Sequence, residues 1–362
     1  MVSGKMILNA GLKTMKVKLL CAVVSAVMLA VLLSGCGGDG SQGVGPTSGS
    51  ITVYTAIENV LAGRLIEAFN ARYPDITVNL VRDSTGVITS RLIAEAANPQ
   101  ADVVWGTAAS SLMVLEAMEM LEPFAPAGLE RILPMFRSEL EVPTWVGITA
   151  WETAFIINIP ELEALGLSVE DIRCYADLLR PELHGNIIMP NPASSGTGFL
   201  TVVGLLELYG RDTGAGWDFM DRLHENIQDY IHSGAGPANM AAVGETVVGI
   251  SFGFPGISRM QEGAPVAVVF PERGSGWDME ANALIRKSEI HPASRTFLNW
   301  AISDEAMAIY NEAFPIISTG EGGSYYGFEG QNPVDQLIEK DFVWIATNRE
   351  AILAEWSRRY GS

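Results

Sequence analysis

The sequence predicts an α/β protein built as two blocks, each a mostly parallel sheet flanked by helices, with a ligand cleft between the blocks. The chain has 362 residues and is 48% apolar, which is enough material for two buried cores. From residue 51 onward, strand-like and helix-like segments alternate, as they do when helices cover both faces of a parallel sheet. An extended run at 145–158 separates two such series. In open parallel sheets, ligands bind beyond the carboxyl ends of the strands.

Hydrophobic periodicity defines the first block. Apolar residues recur at helical spacing from Val60 to Phe69, and Pro74 ends that helix. Residues 76–81 alternate between apolar and polar side chains, which indicates a strand. The predicted strands are 51–54, 76–81 and 101–105, and the further predicted helices are 86–97 and 107–119.

The second block repeats the alternation after a proline-rich irregular stretch at 122–143 and the extended run. Its predicted strands are 186–189, 246–252, 266–270 and 281–285. Its predicted helices are 197–209, 216–225, 292–302 and 305–314, and residues 333–360 are expected to be mostly helical.

The charge balance restricts the class of partner. Acidic residues outnumber basic ones by 42 to 23, and the net charge is −19. Because phosphate backbones are bound by basic patches, nucleic acid is excluded as a partner. Four histidines without paired spacing and three cysteines leave little material for a metal site, so no metal and no cofactor are expected.

The first 35 residues indicate a lipoprotein signal peptide. A short basic region at 15–18 precedes an apolar run at 19–33, which is shorter than the about 20 residues of a spanning helix. The run ends in Leu33-Ser34-Gly35-Cys36, which looks like a lipobox, so Cys36 is the expected lipidated residue. Residues 36–50 then form a Gly/Ser-rich flexible tether. A plain transmembrane anchor is the alternative.

A stretch of small residues at the start of a predicted helix is the main candidate site. Ser194, Ser195, Gly196 and Thr197 combine hydroxyl donors with backbone that a ligand can approach closely. Since a helix N-terminus carries unpaired N–H groups and partial positive charge, this stretch is a candidate anion cradle. The alternative is an ordinary serine N-cap. A Walker lysine is lacking, which argues against nucleotide hydrolysis.

Further polar residues follow the predicted strands, where a cleft would lie. These are Thr55, Glu58, Ser84, Thr85, Trp105 and Ser233, each of which is also compatible with a turn or a cap. Trp277, Asp278 and Glu280 add an aromatic face and two carboxylates, a combination that suits a primary ammonium group. The alternative there is a solvated loop with a core tryptophan.

One motif points to a serine hydrolase. Gly249-Ile250-Ser251-Phe252-Gly253 matches G-x-S-x-G, the nucleophile elbow, which requires a helix directly after the serine. Phe254-Pro255-Gly256 is expected to break such a helix, and His291 is the only later histidine. A surface-anchored hydrolase is therefore kept only as a remote alternative.

The motifs together resemble the extracellular solute-binding proteins of bacterial ABC importers. The opening "ITVYTAIENVLAGRLIEAFNARYPDITV" and the later "ADVVWG" are similar to the branch that includes ferric-iron, polyamine and thiamine binders. More specifically, the chain resembles the 2-aminoethylphosphonate-binding members through five segments: "MPNPASSGTGF", "GWDFMDRLHENI", "HSGAGPANMAAVGE", "VGISF" and "VFPERGSGWDMEA". Where ferric binders carry a tyrosine pair, this chain has Phe252-Gly253-Phe254.

The resemblance implies a two-lobed type II binding-protein fold. Lobe one would comprise 51–147 with 273–312 returning to it, and lobe two 148–272 with 313–362 packed on it. Hinge closure would trap the ligand, and the closed form would dock on a membrane permease. The protein would be a lipid-anchored extracytoplasmic monomer without enzymatic activity.

The resemblance also implies roles for the candidate residues toward 2-aminoethylphosphonate. Lobe two would hold the phosphonate through the 194–197 stretch, with Ser233 as an added donor, and lobe one would close on it with Thr55, Ser84 and Thr85. The ammonium group would pair with Glu58, Asp278 or Glu280, shielded by Trp105, Phe252 or Trp277. Another solute of the same group, namely ferric iron, a polyamine, thiamine or a phosphate ester, remains the alternative.

Overall fold

A computed structural model describes residues 48–320 and 322–361. Its strands are β1 (Gly49–Thr55), β2 (Ile76–Arg82), β3 (Val103–Ala108), β4 (Leu121–Glu122), β5 (Trp145–Asn158), β6 (Ile187–Pro190), β7 (Ile227–Ile231), β8 (Val248–Phe252), β9 (Val266–Val269), β10 (Trp277–Ile285) and β11 (Ile316–Ile317). Its α-helices are α1 (Asn59–Arg72), α2 (Thr85–Ala94), α3 (Ala109–Ala117), α4 (Ile159–Ala164), α5 (Gly196–Tyr209), α6 (Ala215–His224), α7 (Gly236–Ala242), α8 (Gly253–Gln261), α9 (Pro292–Ala301), α10 (Asp304–Asn311) and α11 (Phe342–Tyr360).

The described strands form one mixed sheet whose main path is β2-β1-β3-β10-β5-β8-β6-β7. Near both ends the strands are parallel, since β1 pairs in parallel with β2 and β3, and β6 does so with β7 and β8. In the centre, β10 and β5 run antiparallel to their neighbours. The predicted α/β class is confirmed, and the sheet is mixed because two long crossing strands separate its parallel ends.

Strand β5 links the two halves of the sheet. All 14 of its residues are buried. Residues 145–152 pair with β10 and β11, whereas residues 153–158 pair with β8 and β9. We call the strands from β2 to β10, with residues 145–152, the first half, and the strands from β8 to β7, with residues 153–158, the second half. The change of partners falls between Glu152 and Thr153, and the predicted lobe boundaries stay a prediction.

Each half has its own apolar core. Phe69, Trp105, Phe297 and Trp300 pack edge-on or tilted against one another in the first half, with ring centroids between 5.0 and 6.2 Å apart. In the second half, a separate cluster gathers around the fully buried ring of Phe155. Strand β5 contributes to both clusters, with Trp151 in the first and Phe155 in the second.

The C-terminal helix α11 contacts both halves. Its buried residues Ile345, Ile352 and Trp356 belong to the second core, and Arg359 pairs with Asp221 at 2.7 Å. The same helix also packs against α3 of the first half. The C-terminal helix therefore packs against both halves, whereas the sequence predicted packing on the second lobe.

Two local predictions were wrong. Gly49 and Ser50, assigned to the tether, already pair in β1 with Ile76 and Thr77. The prediction that Pro255 breaks a helix failed because it occupies the third position of α8, where a backbone N–H has no intrahelical partner anyway. Residues 277–280, for which a solvated loop was the alternative, are the first residues of β10.

The predicted signal peptide, Cys36 and most of the tether lie outside the described residues. In the described part of the chain, no helix combines the length and apolarity needed to cross a membrane.

Candidate functional site

A cleft of about 40 Å³ lies where strands of both halves end. It follows β1, β2 and β3 on one side and β6, β7 and β8 on the other. Its lining comprises Ala56, Glu58, Arg82, Ser84, Thr85, Gly106, Ala108, Trp151, Ser195, Gly196, Thr197, Gly234, Phe252 and Glu280. Eight of the residues singled out in the sequence are in this set: Glu58, Ser84, Thr85, Ser195, Gly196, Thr197, Phe252 and Glu280.

Two helix N-termini face each other across the cleft. Helix α2 begins at Thr85 and helix α5 at Gly196, and a Cβ added to Gly196 would lie 3.0 Å from the Thr85 Oγ1. The Ser195 hydroxyl caps α5 by accepting from the Gly198 N–H at 3.4 Å. Because both helices direct N–H groups and partial positive charge at the same space, the site favours an anion.

The two halves touch beside these helix ends. The Gly86 N–H donates to the Ser194 carbonyl oxygen at 2.9 Å. The Ser84 hydroxyl donates to the His232 carbonyl oxygen at 3.2 Å, and the His232 Nδ1 lies 3.0 Å from the Ser194 Oγ. These contacts hold the N-terminus of α2 directly against the loop that precedes α5.

Arg82 is the cation of the cleft, and it was not among the candidates predicted from the sequence. Its guanidinium pairs with Glu58 at 2.8 Å and donates from Nε to the Ile57 carbonyl oxygen at 3.3 Å. Burial raises the pKa of the Glu58 carboxyl, and the positive charge of Arg82 opposes that shift. One feature of the sequence could have indicated Arg82: it is the last residue of β2, at the strand end where a ligand would lie.

Glu280 lies on β10 and is 8% exposed. Its Oε2 accepts a hydrogen bond from the Thr149 hydroxyl at 3.1 Å. Burial raises the pKa of this carboxyl to about 8, and the negative charge of Glu58 acts in the same direction. The cleft therefore contains one carboxylate neutralised by arginine and one carboxyl that retains its proton at neutral pH.

Trp151 and Phe252 supply the aromatic surface, with ring centroids 5.5 Å apart. Trp105 and Trp277, expected as shields for the ligand, lie elsewhere. The Trp105 ring is fully buried in the first core, where its Nε1 donates to the Tyr310 hydroxyl at 2.8 Å. The Trp277 Nε1 donates to the Ile338 carbonyl oxygen at 2.8 Å. Both indoles are thus engaged in packing.

Four other candidates are not among the lining residues. The Thr55 hydroxyl accepts from the Ile57 N–H at 3.1 Å, and the Ser233 hydroxyl accepts from the Gly236 N–H at 3.0 Å, so both stabilise local turns. Ser194 lies just behind the lining, with its hydroxyl beside His232. Asp278 is fully buried and does not line the cleft. Burial lowers the pKa values of Lys340 and Arg349, and the negative charge of nearby Asp278 opposes that shift.

Ser251, the serine of the G-x-S-x-G motif, is buried and hydrogen-bonded to the backbone. A helix does follow β8, but Ser251 is fully buried and donates to the Gly234 carbonyl oxygen at 2.8 Å. His291 caps α9 by accepting from the Ala293 N–H at 3.1 Å. No triad geometry links this serine to that histidine.

Metal ligands are not grouped in the described part of the chain, where no cluster of three histidine, cysteine or acidic side chains occurs. The adjacent tyrosines Tyr325 and Tyr326 do not share an environment: Tyr325 is 5% exposed and donates to Glu152 at 3.5 Å, whereas Tyr326 is 56% exposed.

Comparison with known proteins identifies the family. The model of the bacterial extracellular solute-binding protein family matches residues 64–320. The chain is 27% identical over 290 residues to an uncharacterized protein of Haemophilus influenzae, covering 78% of this chain and 81% of that protein. It is 23% identical over 245 residues to a probable ABC transporter periplasmic-binding protein, y4fP, of Sinorhizobium fredii, covering 66% of this chain and 65% of the relative.

The fold is also similar to a solved structure, the periplasmic binding protein AfuA of Actinobacillus pleuropneumoniae with exogenous fructose-6-phosphate bound. The TM-score is 0.78 at 25% identity, and the match covers 86% of this chain and 99% of AfuA. The α/β architecture, the cleft between two sheet halves and the family match lead to one conclusion. This chain belongs to the bacterial extracellular solute-binding protein family.

Proposed function

We propose that this protein is the substrate-binding component of an ABC importer and that it captures a small organophosphorus anion, most specifically 2-aminoethylphosphonate. The observation that carries this proposal is the pair of opposed helix N-termini at Thr85 and Gly196. Family membership supports binding rather than catalysis.

The phosphonate group occupies the space between α2 and α5. Thr85 and Thr197 are 6% and 4% exposed, and their hydroxyls lie at the first turns of the two helices. Together with free N–H groups of those turns, they supply donors to the three phosphonate oxygens. Gly196 and Gly234 keep the walls close, since a Cβ at Gly234 would lie 2.5 Å from the Thr197 Oγ1.

Of the three carboxylates considered for the ammonium group, Glu280 is the best placed. Asp278 lies outside the cleft lining, and Glu58 is already paired with Arg82. Glu280 lines the cleft with only a hydroxyl as its described hydrogen-bond partner. The ring faces of Trp151 or Phe252 can then flank the cation.

A phosphate ester with a hydroxylated tail is the second candidate. AfuA, which is similar over 99% of its length, was solved with fructose-6-phosphate bound. The Arg82–Glu58 pair in this cleft can donate to and accept from hydroxyl groups at the same time. The two candidates share the phosphoryl group and differ in the tail.

The cellular setting is part of the same proposal. Cleavage before Cys36 and lipidation of that cysteine would anchor the protein on the outer side of a bacterial membrane, within reach of its permease. The anchored protein would be a monomer. The contacts of Gly86 and Ser84 with the second half define the closed form that would be presented to the permease.

Isothermal titration tests the ligand class. A form beginning at Gly37 retains every described residue. It is titrated with 2-aminoethylphosphonate, fructose 6-phosphate, inorganic phosphate, spermidine and ferric citrate. We expect the tightest binding for 2-aminoethylphosphonate. Preferential binding of fructose 6-phosphate would favour the second candidate, and binding of spermidine or ferric citrate alone would refute both.

A further inference from the structure

Glu280 is held between two strands at the side of the cleft. It pairs with Ala108 of β3 on one side and with Thr149 of β5 on the other. The Thr149 hydroxyl is the one side-chain hydrogen-bond donor that the described residues offer to it. A carboxylate ion in such a position lacks the solvation and the counter-charge that an ion requires.

The charged and titratable groups of the surrounding elements do not supply that counter-charge. Arg82 at the end of β2 pairs with Glu58, whose carboxylate precedes α1 and lines the same cleft. The hydroxyl of Tyr310 on α10 accepts from Trp105, and that of Tyr325 donates to Glu152 on β5.

On β10 itself, Asp278 adds a further acid two residues before Glu280. Within the described residues, Glu280 takes part in no ion pair, and Arg82, the cation of the cleft, pairs with Glu58. This environment is the reason that the pKa of Glu280 is raised to about 8.

Resting on the proposed function, we infer that Glu280 is the specificity-determining residue that distinguishes a cationic ligand tail from an uncharged one. An ammonium group entering the cleft forms an ion pair with the Glu280 carboxylate, and the carboxyl proton passes to the solvent as the ligand binds. An uncharged tail gives no counter-charge, so the carboxyl keeps its proton.

The inference predicts a pH dependence whose sign is fixed. Below the pKa of Glu280, a cationic ligand must displace a proton, so its affinity rises as the pH rises and levels off above that pKa. The change approaches about tenfold per pH unit well below the pKa. The phosphonate group titrates as well, and the ammonium group lowers its second pKa relative to that of ethylphosphonate. Proton release and affinity are therefore corrected for the separately measured titration of each free ligand.

Titration calorimetry with two ligands isolates the effect. 2-Aminoethylphosphonate and ethylphosphonate are titrated at several values between pH 6 and 8, each in two non-phosphate buffers that differ in ionisation enthalpy. The difference in heat between the buffers gives the number of protons released. After correction for each free ligand's own titration, we expect the wild type to release up to one proton more with the amine than with ethylphosphonate, and its preference for the amine to rise with pH.

Two variants locate the proton. Glu280→Gln is expected to remove the difference in proton release between the ligands and to lose most of the preference for the amine. Glu152→Gln is the matched control, because Glu152 is equally buried with a pKa also raised to about 8 but does not line the cleft. It is expected to behave like the wild type, and thermal unfolding checks that both variants fold.

Equal proton release for both ligands in the wild type after that correction, with both bound, overturns the inference and leaves the proposed organophosphorus function standing. This comparison needs no variant, so it holds even if Glu280→Gln does not fold. If the amine's extra proton release persists in Glu280→Gln, another group releases the proton and the inference also fails. If neither phosphonate binds, the assignment to phosphonates and the inference fall together.

Discussion

The backbone N–H of Gly86 donates to the carbonyl oxygen of Ser194 at 2.9 Å, which joins the first turn of α2 to the loop that precedes α5. The two residues are far apart in sequence and belong to different halves of the sheet. Their bond places two helix N-termini on one small space, and it can form only when the halves are close together.

Gly86→Ala tests whether this contact controls binding. An added Cβ would lie 2.3 Å from the Ala193 carbonyl oxygen, so the halves could not approach as closely. A penalty of about 1.4 kcal/mol on the closed form lowers apparent affinity about tenfold. Titration calorimetry measures the affinity, and small-angle scattering with ligand reports whether the halves stay apart.

Gly63→Ala is the control for that variant. Gly63 lies in α1, and a Cβ there would meet no atom within 4 Å. It should bind ligand as the wild type does. Unchanged affinity in Gly86→Ala would show that the contact has no part in closure.

Thr197→Val tests the anion cradle. Valine keeps the size of the side chain but removes a hydroxyl at the first turn of α5, so one anion contact is lost. We expect affinity for the phosphonate to fall by about 1–3 kcal/mol. Thr201→Val is the control, since the Thr201 hydroxyl is one turn further on and donates to the Thr197 carbonyl oxygen within the helix. Wild-type affinity in Thr197→Val would remove this hydroxyl from the site.

Arg82→Gln tests the cation of the cleft. The change removes a positive charge and leaves Glu58 unpaired beside an anionic ligand. We expect all organophosphorus ligands to bind more weakly, by about 1.5–3 kcal/mol. Arg91→Gln is the matched control, because Arg91 forms a similar pair with Glu95 at 2.8 Å and does not line the cleft. Equal losses in both variants would indicate a long-range charge effect only.

Glu152→Gln tests the buried carboxyl at the crossing of β5. Burial raises the pKa of Glu152 from 4.5 to about 8. Between these values the folded protein holds a proton that the unfolded chain has lost, so this group lowers stability as pH rises, by about 1.4 kcal/mol per pH unit. Chemical denaturation from pH 5 to 8 should therefore show a weaker loss of stability in the variant. Parallel curves for the two proteins would contradict a protonated Glu152.

Local sequence pattern was sufficient to predict the α/β class. Alternating apolar segments predicted the strands and helices on either side of 145–158, and that run is the crossing strand β5. The 194–198 stretch was recognisable as a helix start because small and hydroxyl residues have a local reason to occupy such a position. Strands, helices and helix starts depend on residues only a few positions apart in the chain. The local sequence pattern was therefore enough to predict them.

Which side chains line the cleft could not be predicted without the three-dimensional arrangement of the strands. Every residue of β10 is buried, so alternation along the strand gave no sign that Glu280 lines the cleft while Asp278 does not. The pairing of Arg82 with Glu58, and the use of Trp151 rather than Trp105 as the aromatic wall, depend on how β1, β2, β3 and β5 are brought together. When both faces of a strand are buried, the alternation of polar and apolar residues does not show which face lies toward the cleft and which toward the core.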